Sequence, residues 1–305
     1  MNKRKIIIDT DPGVDDAMAI MLLSASKKYE ILALTTVAGN NNIQSVTNNA
    51  RFLADLTNLG CPVYSGAAKP LKKKLITANV HGKTGLGNIP VKAKQPLTND
   101  ATKQIIRLVK KYPGEVTLLT IGPLTNIAKA LQKEPGFAPL VKEIVMMGGA
   151  ISVPGNKNRV AEYNFFCDPE AASIVFSSDV KKILIPLDIC NVTPMYMTDF
   201  KKMTHSPHYK TILILMEGYI KAIKKFEKMK GALVYDALAA YFLLDKSAFS
   251  LESMDVRIET KGEYTRGMSV ADKTTWGNKT VNVKVATDLN RERFIENYIK
   301  IMNSS

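Results

Sequence analysis

Short apolar runs rich in β-branched residues recur along the chain, each followed by a stretch whose apolar positions fall three or four residues apart. The first pattern marks buried strands and the second amphipathic helices. KIIID (5–9), EILALTTVAG (30–39), CPVYSG (61–66), EVTLLTIG (115–122), EIVMMGG (143–149) and KKILIPLD (181–188) predict strands. A helix is predicted over 14–24, with its acids in the first turn where the dipole favours them, and another ending near residue 59. Asp168-Pro169-Glu170 predicts a further helix start, an acid at the N-cap with proline at the first helical position. The stretch 251–287 predicts more strands and one hairpin before a last helix. Strands alternating with helices imply an α/β fold, a mostly parallel central sheet flanked by helices on both faces.

In such sheets ligands bind beyond the carboxyl ends of the strands. The chain places distinctive residues there. Asp9, Asp11, Asp15 and Asp16 follow the first strand, and Asn40 follows the second. The turn Ile121-Gly122-Pro123 follows Leu119-Thr120, while Met147 and the Gly148-Gly149 loop lead on to Asn156, Glu162 and Asn164. The expected site is therefore rich in carboxylate and amide oxygen. Two segments without a strong pattern, 66–98 and 148–164, are long for connections in a compact domain, and long loops are commonly functional.

Four carboxylates within positions 9–16 repel one another, and a fold tolerates that only with a cation among them or with protons on some. Asp9 and Asp11, two apart at a strand end, leave on one side, and Asp15 and Asp16 open the helix that folds back over it, so all four are expected to converge. Oxygen-only donors select hard cations, Ca²⁺ or Mg²⁺, and a nearby carbonyl and amide favour the higher coordination number of Ca²⁺. Helix capping and turn closure explain one or two of the acids but not four. The spacing does not fit an EF-hand.

Composition narrows the picture without redirecting it. The chain has 305 residues, 46% apolar and 23% charged, ordinary for a globular protein with a large core. The formal charge of +14 comes from scattered lysines, including a run from Lys221 to Lys230 read as lying along one helix. With no aromatic-interleaved basic strand and no nucleic-acid motif, we read a solvated surface and expect no nucleic-acid partner. The apolar run before Asp9 is only 6–8, far short of a signal or of the ~20 residues of a membrane span, so no membrane association is expected. Cys61, Cys167 and Cys190 form no CxxC and suit a reduced, cytoplasmic protein. We find no linker and no repeat.

The string DTDPGVDDA (9–17) resembles the signature of the inosine–uridine nucleoside hydrolases. TTVAGN (35–40), VHGKTGLG (80–87), GPLTNIA (122–128), VMMGG (145–149), VAEYNFFCDPEAA (160–172) and VYDALA (234–239) follow in that family's order. The resemblance covers nearly the whole chain and implies one domain over 1–305 with the family's Rossmann-like fold. It implies hydrolysis of the N-glycosidic bond of ribonucleosides, purine, pyrimidine or both, with one Ca²⁺ as cofactor. On this reading Asp11, Asp16, Asp236 and the Ile121 carbonyl hold the metal, and Asp11 is also the general base for a calcium-bound water. Asp15, Asn40, Asn156, Glu162, Asn164 and Asp236 hold the ribose hydroxyls, Met147 lines the sugar pocket and Asp9 orients its neighbours. His81 takes the place of a histidine at the mouth of the base pocket. A homo-oligomer, dimer or tetramer, is also implied.

The chemistry is coherent. Ribosyl transfer passes through an oxocarbenium-like state that surrounding carboxylates stabilise, and the base leaves with a proton or hydrogen bond from an acid. On this last point the chain departs from the family pattern: Tyr235 stands before Asp236, where many inosine-cleaving members carry histidine. Tyr235 and His81 are then the candidate donors, with Tyr219 as another source, while His205 and His208 read as loop residues. Two other readings stay open at this point. One is a relative that binds nucleoside or ribose with weakened catalysis. The other is a haloacid-dehalogenase-like phosphatase, which also opens on a hydrophobic-DxD strand, although DPGxDDA is not its pattern.

Overall fold

The computed structural model describes residues 3–304 except 79, 88, 92–99, 227 and 278. Ten strands occur among them: β1 Arg4–Thr10, β2 Tyr29–Thr36, β3 Val63–Ser65, β4 Thr117–Thr120, β5 Glu143–Met147, β6 Lys182–Ile185, β7 Phe249–Met254, β8 Val256–Ile258, β9 Ser269–Ala271 and β10 Val283–Leu289. The α-helices are α1 Val14–Ser26, α2 Ile43–Leu56, α3 Ala101–Lys111, α4 Thr125–Lys133, α5 Tyr163–Cys167, α6 Pro169–Phe176, α7 Leu187–Cys190, α8 Met197–Phe200, α9 Tyr209–Phe226, α10 Tyr235–Leu244 and α11 Arg291–Met302.

Eight strands form one sheet in the order β3-β2-β1-β4-β5-β6-β10-β7. All neighbours are parallel except β7, which runs antiparallel to β10 at the edge. The expected hairpin is β8–β9, a separate antiparallel pair. From β1 the chain first steps outward to β2 and β3 and then returns to the other side of β1 as β4. The carboxyl ends of β1 and β4 thus meet at the topological switch point, where a crevice opens in a doubly wound sheet.

Each sheet face carries its own core. On one side α1 and α10 pack with α9 and α11 over Ile6, Ile8, Leu34 and Val145. On the other, α3, α4 and α6 cover Ile7, Ala33, Leu118 and Ile144. Alternate β1 residues feed opposite cores, as a period of two dictates. Helix α1 is buried on nearly every side, including Asp15 and Asp16, which is why its sequence lacks a polar stripe. Asp168 caps α6 as expected, accepting from the Ala171 N–H at 3.1 Å. Its other oxygen accepts from Leu71 N at 2.9 Å and Thr125 Oγ1 at 2.6 Å, so one acid fastens a helix and a loop together.

Three expectations need correction. The second helix stops at Leu56 rather than near 59, because Asn58 turns left-handed at φ 50°. The lysine run does not lie on one helix: α9 ends at Phe226, Lys228 has φ 60°, and Lys230 lies beyond. Only Lys221, Lys224 and Lys225 ride on α9, whose buried Ile212, Leu215, Met216, Tyr219 and Ile223 repeat at helical spacing. Asp9 does not converge with the other three acids, as described below. Between β3 and α3, and between β5 and α5, the described residues form no helix or strand, in line with the two long loops; residues 79, 88 and 92–98 of the first loop lie outside the described residues. No helix among the described residues is long and apolar enough to cross a membrane.

Candidate active site

The carboxyl end of β1 is buried together with its acids; Asp11 and Asp16 are fully enclosed. Asp9 faces its strand neighbours. Its Oδ1 accepts from Thr35 Oγ1 at 2.5 Å and Asn126 Nδ2 at 2.8 Å, and Asn126 in turn bonds the Thr36 carbonyl and the Ala67 N–H. Oδ1 of Asp9 thus joins β1, β2 and α4, while its Oδ2 is buried with no hydrogen-bond partner among the described residues. Burial pushes its carboxyl up to about 7.

Asp11 lies between two glycines. A Cβ at Gly39 would collide with its Oδ2, and one at Gly122 with its Oδ1. The backbone can approach that closely only because both positions lack a side chain. Oδ2 accepts from the Asn40 N–H at 2.6 Å, whereas Oδ1 is buried with no hydrogen-bond partner among the described residues. Asp16 is the most heavily bonded of the set. Thr10 Oγ1 donates to it at 2.5 Å, the Gly13 N–H at 2.8 Å and Asn40 Nδ2 at 3.2 Å. Asp236 arrives from the first turn of α10, the helix packed beside α1. Asp15, Asp16 and Asp236 each offer a carboxylate oxygen within 4.8 Å of the others. Asp11 stands outside that triad, held by the Asn40 amide, but is close enough for repulsion from Asp16 and Asp15 to raise its carboxyl.

Burial, and then repulsion from neighbouring acids, holds Asp11 and Asp236 well above the ordinary carboxylate range; burial also raises Asp16, against its hydrogen bonds, which lower it. Among the described residues no lysine or arginine forms an ion pair with Asp11, Asp16 or Asp236. Such a set is either proton-sharing or cation-binding. The donors fit a hard divalent cation: several buried carboxylates, one of them with a bare buried oxygen, and the Ile121 carbonyl just past β4. That carbonyl lies 3.4 Å from Asn164 Nδ2, which also bonds the Met147 carbonyl at 3.2 Å.

Above this floor opens a cavity of about 190 Å³. Of the sequence-predicted residues, Asp15, Asn40, His81, Ile121, Met147, Asn156, Glu162, Asn164, Tyr235 and Asp236 line it, while Asp11 and Asp16 lie beneath. Ala78, Val80, Lys157, Tyr163, Tyr219 and Phe226 complete the lining. Glu162 caps α5, its oxygens accepting from the N–H groups of Asn164 at 2.8 Å, Gly149 at 2.9 Å and Phe165 at 3.2 Å. Burial nevertheless raises it to about 7. Asn156 Oδ1 accepts from the Tyr163 N–H at 2.9 Å, which fixes its orientation.

His81 is buried rather than at an exposed mouth. Its Nδ1 accepts from the Val14 N–H at 3.2 Å and lies 3.7 Å from Asp15 Oδ1. Burial lowers it to about 4, so near neutrality the ring is uncharged, with its proton on Nε2. The contact with Asp15 is then no ion pair. The ring stacks on Tyr219 at 5.5 Å between centroids. The Tyr219 hydroxyl donates to the Leu233 carbonyl at 3.2 Å, so its proton points at backbone rather than into the cavity. His205 is exposed and His208 half-buried, both outside the cavity. Sequence reasoning missed Tyr163 and Lys157. Tyr163 stands between two residues it did single out, and that adjacency was the available signal.

Residues 6–296 match the model of a family described as inosine-uridine preferring nucleoside hydrolase. The inosine-uridine preferring nucleoside hydrolase of Crithidia fasciculata is 38% identical over 300 residues, 95% of each chain. A pyrimidine-specific ribonucleoside hydrolase of Shigella flexneri is 33% identical over 302 residues, covering 96% of this chain and 95% of its own. A solved plant nucleoside hydrolase superposes with a TM-score of 0.93 at 30% identity, over the full length of both chains.

Proposed function

The chain belongs to the inosine-uridine preferring nucleoside hydrolase family and is a nucleoside hydrolase, and from that premise we propose that it cleaves the N-glycosidic bond of ribonucleosides in a calcium-dependent reaction with Asp11 as general base. The phosphatase reading drops out with family membership. The observation that supports the proposal best is the gathering of Asp15, Asp16 and Asp236, with Asp11 beneath them, at the floor of one cavity whose remaining walls are amide and aromatic.

Asp11, Asp16, Asp236 and the Ile121 carbonyl would hold Ca²⁺, with Asp15 alongside. Bound there, the ion would acidify water and template the vicinal hydroxyls of the sugar. Asp11 takes the proton of the attacking water: one of its oxygens is fixed by Asn40, the other accepts no hydrogen bond among the described residues, and burial makes it more basic than an exposed carboxylate. Asp15, Asn40, Asn156, Glu162, Asn164 and Asp236 bind the ribose hydroxyls, and Met147 packs against the sugar. As the glycosidic bond stretches, positive charge grows on the ring, and the surrounding carboxylates stabilise it in a water-poor site.

Leaving-group assistance falls to His81 and Tyr235. Neutral His81 can hydrogen-bond through Nε2–H but is no imidazolium near pH 7. The Tyr235 side chain can donate a hydrogen bond from its hydroxyl or stack its ring on the base. An aromatic wall accepts either kind of base, and relatives named for inosine-uridine and for pyrimidine cleavage support a substrate range spanning both. We further propose a homo-oligomer, to be checked by light scattering.

The test is a panel of inosine, adenosine, guanosine, uridine and cytidine with free ribose measured as reducing sugar. Release from at least one, lost on chelation and restored by Ca²⁺, is expected. Saturable binding without release from any of them would instead favour the catalytically weakened relative.

A further inference from the structure

Tyr163 reaches from α5 to two loops that meet at the site. Its hydroxyl lies 2.8 Å from the Gly39 carbonyl and 3.0 Å from the Ile76 carbonyl. A phenol has one proton and can serve only one of them fully at a time. Ile76 has a second donor within reach, Cys167 Sγ at 3.7 Å. The Gly39 carbonyl has no other donor among the described residues. Buried carbonyls are seldom left unpaired, so this accounting gives the tyrosine proton to Gly39. Burial also pushes the phenol far above its usual range, which keeps it a donor.

The Gly39 carbonyl and the Asn40 N–H are the two ends of one planar peptide group. At the far end, the Asn40 N–H is the donor that holds Asp11 Oδ2 at 2.6 Å. A hydrogen bond to the carbonyl polarises the same peptide's N–H and strengthens the bond it donates. The glycine cannot be replaced without a clash against Asp11, so the peptide and the carboxylate are fitted to each other.

We propose that Tyr163 is a positioning residue for the reaction: its hydroxyl anchors the Gly39–Asn40 peptide so that the Asn40 N–H holds the Asp11 carboxylate in place. The kinetic part of this inference rests on Asp11 being the general base, whereas the anchoring itself does not. The Tyr163 hydroxyl bonds backbone carbonyls and makes no hydrogen bond to Asp11 among the described residues, so it acts through the peptide.

The test is Tyr163→Phe, which keeps the ring, its place in the cavity wall and its contact with the Lys157 ammonium 5.4 Å from the ring centre. Two readouts are taken. In ligand-free protein the Asn40 amide is expected to exchange with solvent deuterium about tenfold faster than in wild type, the worth of one hydrogen bond. On nucleosides, kcat is expected to fall about tenfold with KM within twofold, because the hydroxyl acts on the backbone that holds Asp11, whereas the Asn40 side chain is held separately by Asp16 at 3.2 Å. Circular dichroism and a melting curve establish that the variant is folded. Unchanged exchange overturns the proposal. So does faster exchange with unchanged kcat, or a rise in KM alone, which would make the hydroxyl part of the sugar pocket. If wild type releases no ribose, the functional reading fails, and the exchange experiment still decides whether the peptide is anchored by Tyr163.

Discussion

At the floor of the cavity the acids sit on the ends of regular elements, β1, α1 and α10, and named donors fix them: three on Asp16 and one on Asp11. The facing wall is made differently. Val80 and His81 come from the long loop after β3, and Tyr219 and Phe226 from one helix, with Phe226 at its exposed end. Here contact is by stacking and apolar surface, as between His81 and Tyr219. The ribose is the same in every ribonucleoside and rewards a rigid polar template, whereas the base varies and is met by surfaces that any π-face can use. The difference teaches where specificity and where rate should reside: changes at the floor act on the chemical step, changes on the wall on the leaving base.

The sharpest way to break this division is to empty the floor. Chelation is expected to reduce nucleoside hydrolysis to background, and Ca²⁺ at about a hundred times its Kd to raise unfolding stability by about 2.7 kcal/mol, read from melting curves. Full activity after metal-free dialysis would refute the reading of the floor as a cation site. Next in size is Asp11→Asn, which keeps the shape and removes the base; kcat should fall about 10²–10⁴-fold with little change in KM, measured by ribose release.

Glu162 probes the floor through stability rather than rate. Its carboxyl rises from 4.5 to about 7 on burial, so between those values the native chain holds a proton that the unfolded chain has released. Stability should therefore be greatest below the unfolded value, fall as pH rises through that window and level off above it, by an amount on the order of 3 kcal/mol. Glu162→Gln has no such proton to lose, so denaturant midpoints at pH 4.5 and 8 should differ less than in wild type. Equal slopes for both proteins would show that Glu162 titrates as an ordinary carboxylate.

The wall gives the smallest expected effect and the most selective one. Tyr235→Phe should lower kcat on natural nucleosides about tenfold, the loss of one hydrogen bond, and leave p-nitrophenyl riboside nearly untouched, since that leaving group needs no proton. Equal losses on both substrates would move Tyr235 from the wall's chemistry to the packing of α10.

The sequence alone carried the alternation of strands and helices, the helix start at Asp168 and the crowding of acids at 9–16, because strand period, helix caps and charge repulsion act over a few residues. DTDPGVDDA and the ordered motifs after it carried the family for the same reason: each is a contiguous string. What it could not carry was which oxygens meet. Asp9 looked like a partner of Asp11 two residues on, yet its donors come from Thr35 and from Asn126, 117 residues away. Tyr163 sits between two predicted ribose ligands, but its purpose depends on carbonyls 124 and 87 residues off. The uncharged state of His81 follows from burial beneath Tyr219 and against α1. These were settled only when the sheet brought the ends of β1, β2 and β4 together, since a hydrogen bond or a desolvation shift depends on neighbours in space.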